Sequence, residues 1–236
     1  MKTWTIGIMC YNESGNIARV LQDVYAVVPA LSAEHEVLVV DDGSADDSVE
    51  IVHKLKESLY PNLRIIDQKV NQGIGATLRA IYTNAKMDLV VAVPGDGQFD
   101  IKELLQIPQP GDREILNFYR VENTSYSIFR NGLSWINQKL NRWFLRFDLP
   151  DVNWILVFPS KEIQRLSLSI QSSLVGSEIC GKLSVQGFHF RTLKSHYLPR
   201  IAGKSRGASF KIVFNAASEM LKLIWVITVF RYRNKR

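Results

Sequence analysis

Glu36-Val37-Leu38-Val39-Val40-Asp41-Asp42-Gly43-Ser44 is the stretch from which the fold can be read. Its unbroken apolar run suits a strand buried on both faces, and the run stops on two carboxylates and a glycine. Ser44 with Asp47 three residues on has the form of a capping box, which predicts a helix through about Leu59. One such strand-to-helix step precedes it. Thr5 to Met9 reads as a short buried strand, and Asn16 to Val28 carries Ile17, Val20, Leu21, Val24 and Val28 at helical spacing. Downstream the step recurs, with a strand over Leu63 to Asp67, a helix over Gly73 to Asn84 and a fourth strand over Leu89 to Val93. That strand runs into Pro94-Gly95-Asp96-Gly97-Gln98. The alternation predicts an α/β fold, a Rossmann-like and mostly parallel sheet flanked by helices.

In such sheets ligands collect beyond the carboxyl ends of the strands, where Tyr11-Asn12-Glu13, Asp41-Asp42 and Asp96 all stand. Several carboxylates at one edge can hold a metal, read a base or ribose, or serve as helix caps, and Asp41, Asp42 and Ser44 fit turns and caps equally well. Asp96 differs in lying between two glycines, which let a ligand approach the backbone closely. Gly73-x-Gly75 lacks the Gly-Lys-Ser/Thr ending of a phosphate loop and reads as a helix-start turn. From about Gln109 the spacing loosens, and aromatic and basic residues interleave from Phe118 to Arg146. This half reads as acceptor-side and lid structure, not as a separate domain.

With 236 residues, 46% apolar and 22% charged, the chain can bury a full core without metals or disulfides. Cys10 and Cys180 form no disulfide framework and no metal cluster, which fits a reducing, cytoplasmic compartment. The N-terminal Met-Lys-Thr-Trp-Thr-Ile-Gly enters a strand pattern directly, so no signal peptide is expected. A net charge of +6 suggests an anionic partner. Nucleic acid is the weakest choice, because no recognition motif is present and an acidic sheet edge would repel phosphates. His189 and His196 are too isolated for a zinc site, and Trp135, Trp143 and Trp154 read as packing residues. Phe210 to Tyr232 is apolar and is followed by Arg233, Lys235 and Arg236, but its uninterrupted run after Lys222 falls short of the ~20 residues of a spanning helix. It reads either as an interfacial helix on an anionic membrane surface or as a helix packed on the domain or on a second subunit, which keeps a homo-oligomer open.

Taken in order, Tyr11-Asn12-Glu13, Val39-Val40-Asp41-Asp42-Gly43-Ser44, Asn71-Gln72-Gly73-Ile74-Gly75 and Asp96-Gly97-Gln98 resemble family 2 glycosyltransferases of the GT-A fold. Within that family the sequence is most similar to the dolichyl- or polyprenyl-phosphate sugar synthases. Arg120 stands where that group has an arginine, and Arg200-Ile201-Ala202-Gly203-Lys204-Ser205-Arg206 is similar to its Arg-x-x-Gly-x-Ser-Lys/Arg segment. The resemblance implies a GT-A domain over 1–209, with 1–108 binding the nucleotide sugar and 109–209 facing the acceptor, and the apolar and basic pattern beyond it adds an amphipathic, basic helix over 210–236. It further implies that Tyr11, Glu13 and Asp42 contact the nucleoside, Asp42 by accepting a hydrogen bond from the base. Gly95, Asp96 and Gln98 would bind the nucleotide sugar, with Asp96 binding Mg2+ or Mn2+ as a hard oxygen ligand. Arg120, Arg200 and Arg206 would neutralise the donor diphosphate or an acceptor phosphate.

The sequence departs from the family at Pro94, which stands where the first Asp of Asp-x-Asp is usual, and at Met9, where a proline is usual. The expected activity is inverting transfer of a sugar from a nucleotide diphosphate donor to polyprenyl phosphate, on the cytoplasmic face of a membrane. A second reading is transfer to a saccharide hydroxyl in surface polysaccharide assembly, which needs a general base, and Glu178 or Asp151 is the candidate. Glu178 reads equally as a carboxylate favoured at a helix N-terminus. The third reading is a catalytically weak nucleotide-sugar-binding module, suggested by Pro94.

Overall fold

A computed structural model describes residues 2–121, 142, 149–200 and 210–234. Arg206, Trp135 and Trp143 therefore lie outside the described residues, as does most of the aromatic and basic stretch from Phe118 to Arg146. Seven strands form one sheet in the order β3-β2-β1-β4-β6-β5-β7. The strands are β1 (Trp4–Cys10), β2 (His35–Asp41), β3 (Arg64–Asp67), β4 (Leu89–Pro94), β5 (Glu114–Arg120), β6 (Leu156–Pro159) and β7 (His189–Ser195). The first four are parallel, as the alternation predicts, and β6 runs antiparallel between β4 and β5.

Alternate residues of each central strand serve different cores. Val37 and Val39 of β2 join Ile6, Ile8, Val91 and Val93 under the helices α1 (Ile17–Leu31) and α2 (Ser48–Ser58). Leu38 and Val40 join Val90, Ala92 and Ile81 on the opposite face, under α3 (Ile74–Asn84). Both faces are covered, so β2 is apolar without a break. The sheet flanked by helices is the α/β architecture that the sequence predicts, with element ends that differ by at most four residues.

The predicted capping box at Ser44 does not form. Helix α2 starts four residues later, at Ser48, and its N-cap Asp47 makes no side-chain cap bond. Ser44 instead donates its hydroxyl to Asp41 Oδ1 at 2.5 Å, while its backbone N–H donates to Asp41 Oδ2 at 2.8 Å. A buried carboxylate is a stronger acceptor than the cap geometry offers, so it captures the serine.

Two further helices complete the described body: the short α4 (Ser160–Gln164) and α5 (Val175–Val185). The last helix, α6 (Phe210–Arg233), lies against α5, with Leu223 and Ile227 buried in the shared core. A Cβ on Gly181 of α5 would stand 2.9 Å from Ile227 Cδ1. Glu219 of α6 accepts the backbone N–H groups of Gln171 and Ser172 at 3.1 and 2.8 Å. Those two residues press on the first turn of α3, where a Cβ on Gly75 would lie 1.9 Å from the Gln171 carbonyl oxygen. No helix among the described residues is long and apolar enough to cross a membrane.

Candidate active site

Parallel register brings three strand ends to one place. Cys10 pairs with Asp41 and Met9 with Pro94, so the segments after β1, β2 and β4 emerge side by side. They are then stitched by hydrogen bonds. Asn12 takes a left-handed backbone, with φ 54°, at the exit of β1. Asparagine tolerates that region, and here both ends of the residue are held: Asn12 N–H donates to Ser44 Oγ at 2.8 Å and Ala45 N–H donates to Asn12 Oδ1 at 2.7 Å. Glu13 N–H donates to Ser48 Oγ at 2.8 Å, and Ser14 N–H to Asp46 Oδ2 at 3.1 Å.

Asp42 anchors the next loop. Its two carboxylate oxygens accept the N–H groups of Gln72 and Gly73 at 2.7 and 2.9 Å. Gly73 has φ 87° and caps α3, the helix-start role that the sequence predicts for it. A carboxylate has about four acceptor positions, so Asp42, though nearly buried, retains capacity for a further donor. Tyr11 is half-buried beside it.

After β4, Gly95 N–H donates to the Met9 carbonyl at 2.8 Å, and a Cβ at Gly95 would come within 2.5 Å of that oxygen. The close approach requires glycine. Asp96 then turns back so that Oδ1 accepts Gln98 N–H at 3.1 Å. Its other oxygen receives Arg200 Nη2 at 2.7 Å, and the same nitrogen lies 3.3 Å from Glu13 Oε1. Arg200 arrives because residues 197–200 run alongside the loop: Phe99 bridges to Tyr197, and Leu198 N–H donates to the Gln98 carbonyl. Burial pushes the Glu13 carboxyl up from its ordinary range, against the opposing hydrogen bond from Asn16 and the charge of Arg200.

A second polar group adjoins the first. Arg120, at the end of β5, forks onto Asp151 with bonds of 2.7 and 3.1 Å, and its guanidinium lies 4.8 Å from the Trp154 ring centre and 5.6 Å from that of Tyr197. Trp154 does pack, against Phe99 and Tyr197, but it also supports this arginine. Arg120 and Asp151 thus neutralise each other.

Glu178 requires a correction as a candidate base. It sits in the first turn of α5 with no exposed surface. Its oxygens accept Ser169 N–H at 2.9 and 3.0 Å, Ile170 N–H at 2.9 Å and the Lys182 ammonium at 2.6 Å. Every acceptor position is used inside the protein, so no acceptor hydroxyl can reach it. The helix-carboxylate reading holds in its place. Lys182, itself buried, also donates to the Ser167 carbonyl, and the pair fixes the 167–170 segment to α5.

Among the described residues no group of three or more His, Cys, Asp or Glu could cage a metal. Asp96, with Glu13 next to it, is what this edge offers, and both are hard oxygen donors.

Comparison with known proteins gives a coherent picture. The family model described as glycosyl transferase family 2 matches residues 5–149. A dolichyl-phosphate beta-glucosyltransferase of Trichomonas vaginalis is 31% identical over 108 residues, 44% of this chain and 32% of that protein. An undecaprenyl-phosphate 4-deoxy-4-formamido-L-arabinose transferase of Klebsiella pneumoniae is 25% identical over 145 residues, 60% of this chain and 44% of that protein. In both, the matched stretch spans less than half of the curated relative. Glucosyl-3-phosphoglycerate synthase from Mycobacterium tuberculosis, crystallised with Mn2+, UDP and phosphoglyceric acid, superposes with a TM-score of 0.63. That match covers 98% of this chain and 78% of the synthase at 12% identity, a likeness of fold.

Proposed function

Because the chain belongs to glycosyl transferase family 2, we propose that it moves a sugar, with inversion, from a nucleotide diphosphate sugar to a polyprenyl-phosphate lipid at a membrane surface. The observation that carries this reading is the convergence of Glu13, Asp42 and Asp96 from three adjacent strand ends, with Arg200 among them. Asp42, Tyr11 and the loop at Gln72 and Gly73 would receive the nucleoside. Gly95, Asp96, Gln98 and Arg200 would face the diphosphate, with Arg120 and Arg206 available to a phosphate. A divalent cation bound at Asp96, completed by diphosphate oxygens and water, would stabilise the charge that develops on the departing nucleotide.

A lipid phosphate is anionic near neutral pH and needs no general base, so positioning and charge neutralisation can carry the reaction. The enclosure of Glu178 and the pairing of Asp151 with Arg120 weigh against a hydroxyl acceptor. The names of both curated relatives pair a sugar transferase with a dolichyl or undecaprenyl phosphate.

Titration calorimetry with UDP and GDP, with and without Mn2+, tests the donor site, and failure of both nucleotides to bind would sink the proposal. Incubation with labelled nucleotide sugars and a short polyprenyl phosphate should place label in the organic phase. Label only on a soluble saccharide would favour the polysaccharide reading, and binding without any transfer the silent module.

Helix α6 supports the membrane part. One face is buried on the body, and the other exposes Leu221, Trp225 and Tyr232 at 71%, 67% and 66%, beside Lys222 and Arg233. Apolar groups flanked by cations suit the interface of an anionic bilayer. Replacing Leu221 and Trp225 together by serine should weaken co-sedimentation with phosphatidylglycerol vesicles by about thirtyfold, since each side chain contributes roughly 1 kcal/mol when partly buried. Unchanged sedimentation would remove the helix from this role. A dimer abolished by the same double variant would put a second copy of the chain on this face.

A further inference from the structure

Glu13 and Asp96 are nearly buried carboxylates, from segments more than eighty residues apart in sequence, and one guanidinium nitrogen serves both. Two like charges held this close repel, and the guanidinium beside them offsets that repulsion. At β4 Asp96 has no carboxylate two residues before it, because Pro94 stands there. A metal ion on Asp96 Oδ2 would meet the positive charge of Arg200, whose Nη2 already contacts that oxygen at 2.7 Å. Arg200 is also incompletely satisfied there, for its buried Nε finds no acceptor among the described residues. A guanidinium is built to donate two parallel bonds to a planar anion, and here it holds its carboxylates through one nitrogen.

Resting on the donor-site reading above, we propose that Arg200 is an exchangeable counter-cation. In the donor-free protein it holds Asp96 and Glu13 and keeps a lone divalent cation out. When a nucleoside diphosphate arrives, Arg200 transfers to its oxygens, with Nε and Nη2 then both donating. Asp96 is thereby released to the cation that accompanies the diphosphate. Nucleotide and metal must then promote each other's binding reciprocally, and much of that coupling passes through Arg200.

The test is Mn2+ affinity, measured by paramagnetic resonance of the free ion, with and without saturating UDP or GDP. Wild-type protein is compared with Arg200→Gln and Arg200→Lys. Arg200→Gln should bind Mn2+ alone at least about tenfold more tightly than wild type, because two buried carboxylates lose their internal cation. The gain in Mn2+ affinity on adding nucleotide should shrink by a similar factor. Arg200→Lys retains a charge without the fork and should fall between the two. It keeps the question decidable if the glutamine variant does not fold. Equal or weaker Mn2+ binding by the variants, with nucleotide still bound by wild type, overturns the exchange alone. Failure of wild type to bind either nucleotide in the presence of Mn2+ overturns the donor-site reading and the exchange with it.

Discussion

Glu178→Ala is expected to cost about 3–5 kcal/mol of folding stability, the magnitude found when one partner of a buried ion pair is removed. Lys182 would be left at 4% exposure without its carboxylate, and Ser169 and Ile170 would lose the acceptor for their N–H groups. Single domains are stable by only about 5–15 kcal/mol, so the loss should appear as a large drop in the urea midpoint. A catalytic base behaves in the opposite way, with stability kept and turnover lost. Urea unfolding of Glu178→Ala alongside its transfer rate therefore separates the roles, and an unchanged midpoint would contradict the strut assigned to this pair.

For Asp96→Asn the expected loss is in rate. The asparagine oxygen can still accept Gln98 N–H, so the turn after β4 should persist and the melting temperature should move by only a few degrees. What disappears is the charge that would hold a cation against the diphosphate. Loss of one such electrostatic group at a reacting centre costs about 10²–10³-fold in rate. Single-turnover transfer from a labelled nucleotide sugar measures it, and a rate within threefold of wild type would remove Asp96 from the proposed machinery.

The sheet and its carboxylate edge were legible because burial on both faces leaves a continuous apolar run that ends abruptly, as at Val40-Asp41 and Val93-Pro94. The partners of the charged residues were not. Arg120 meets Asp151 and Arg200 meets Asp96 across 31 and 104 residues, distances at which sequence spacing carries no geometric information. Ser44 was misread because a capping pattern says nothing about a stronger acceptor three residues upstream. Glu178 did leave a signal. It stands four residues from Lys182 in a segment whose other residues are mostly small or apolar, the spacing of an internal helix pair.

Gly75 links distant parts of the chain. Because it lacks a Cβ, Gln171 can rest on the start of α3, and Glu219 holds Gln171 and Ser172 from the last helix. Two residues before Gly75, Gly73 is bonded to Asp42. The last helix is in this way mechanically in series with the Asp42 edge, so α6 acts as a brace for the loop at Gln72 and Gly73. Shortening the protein from within α6 would then slacken the grip proposed for the nucleotide, however well the sheet itself survived the cut.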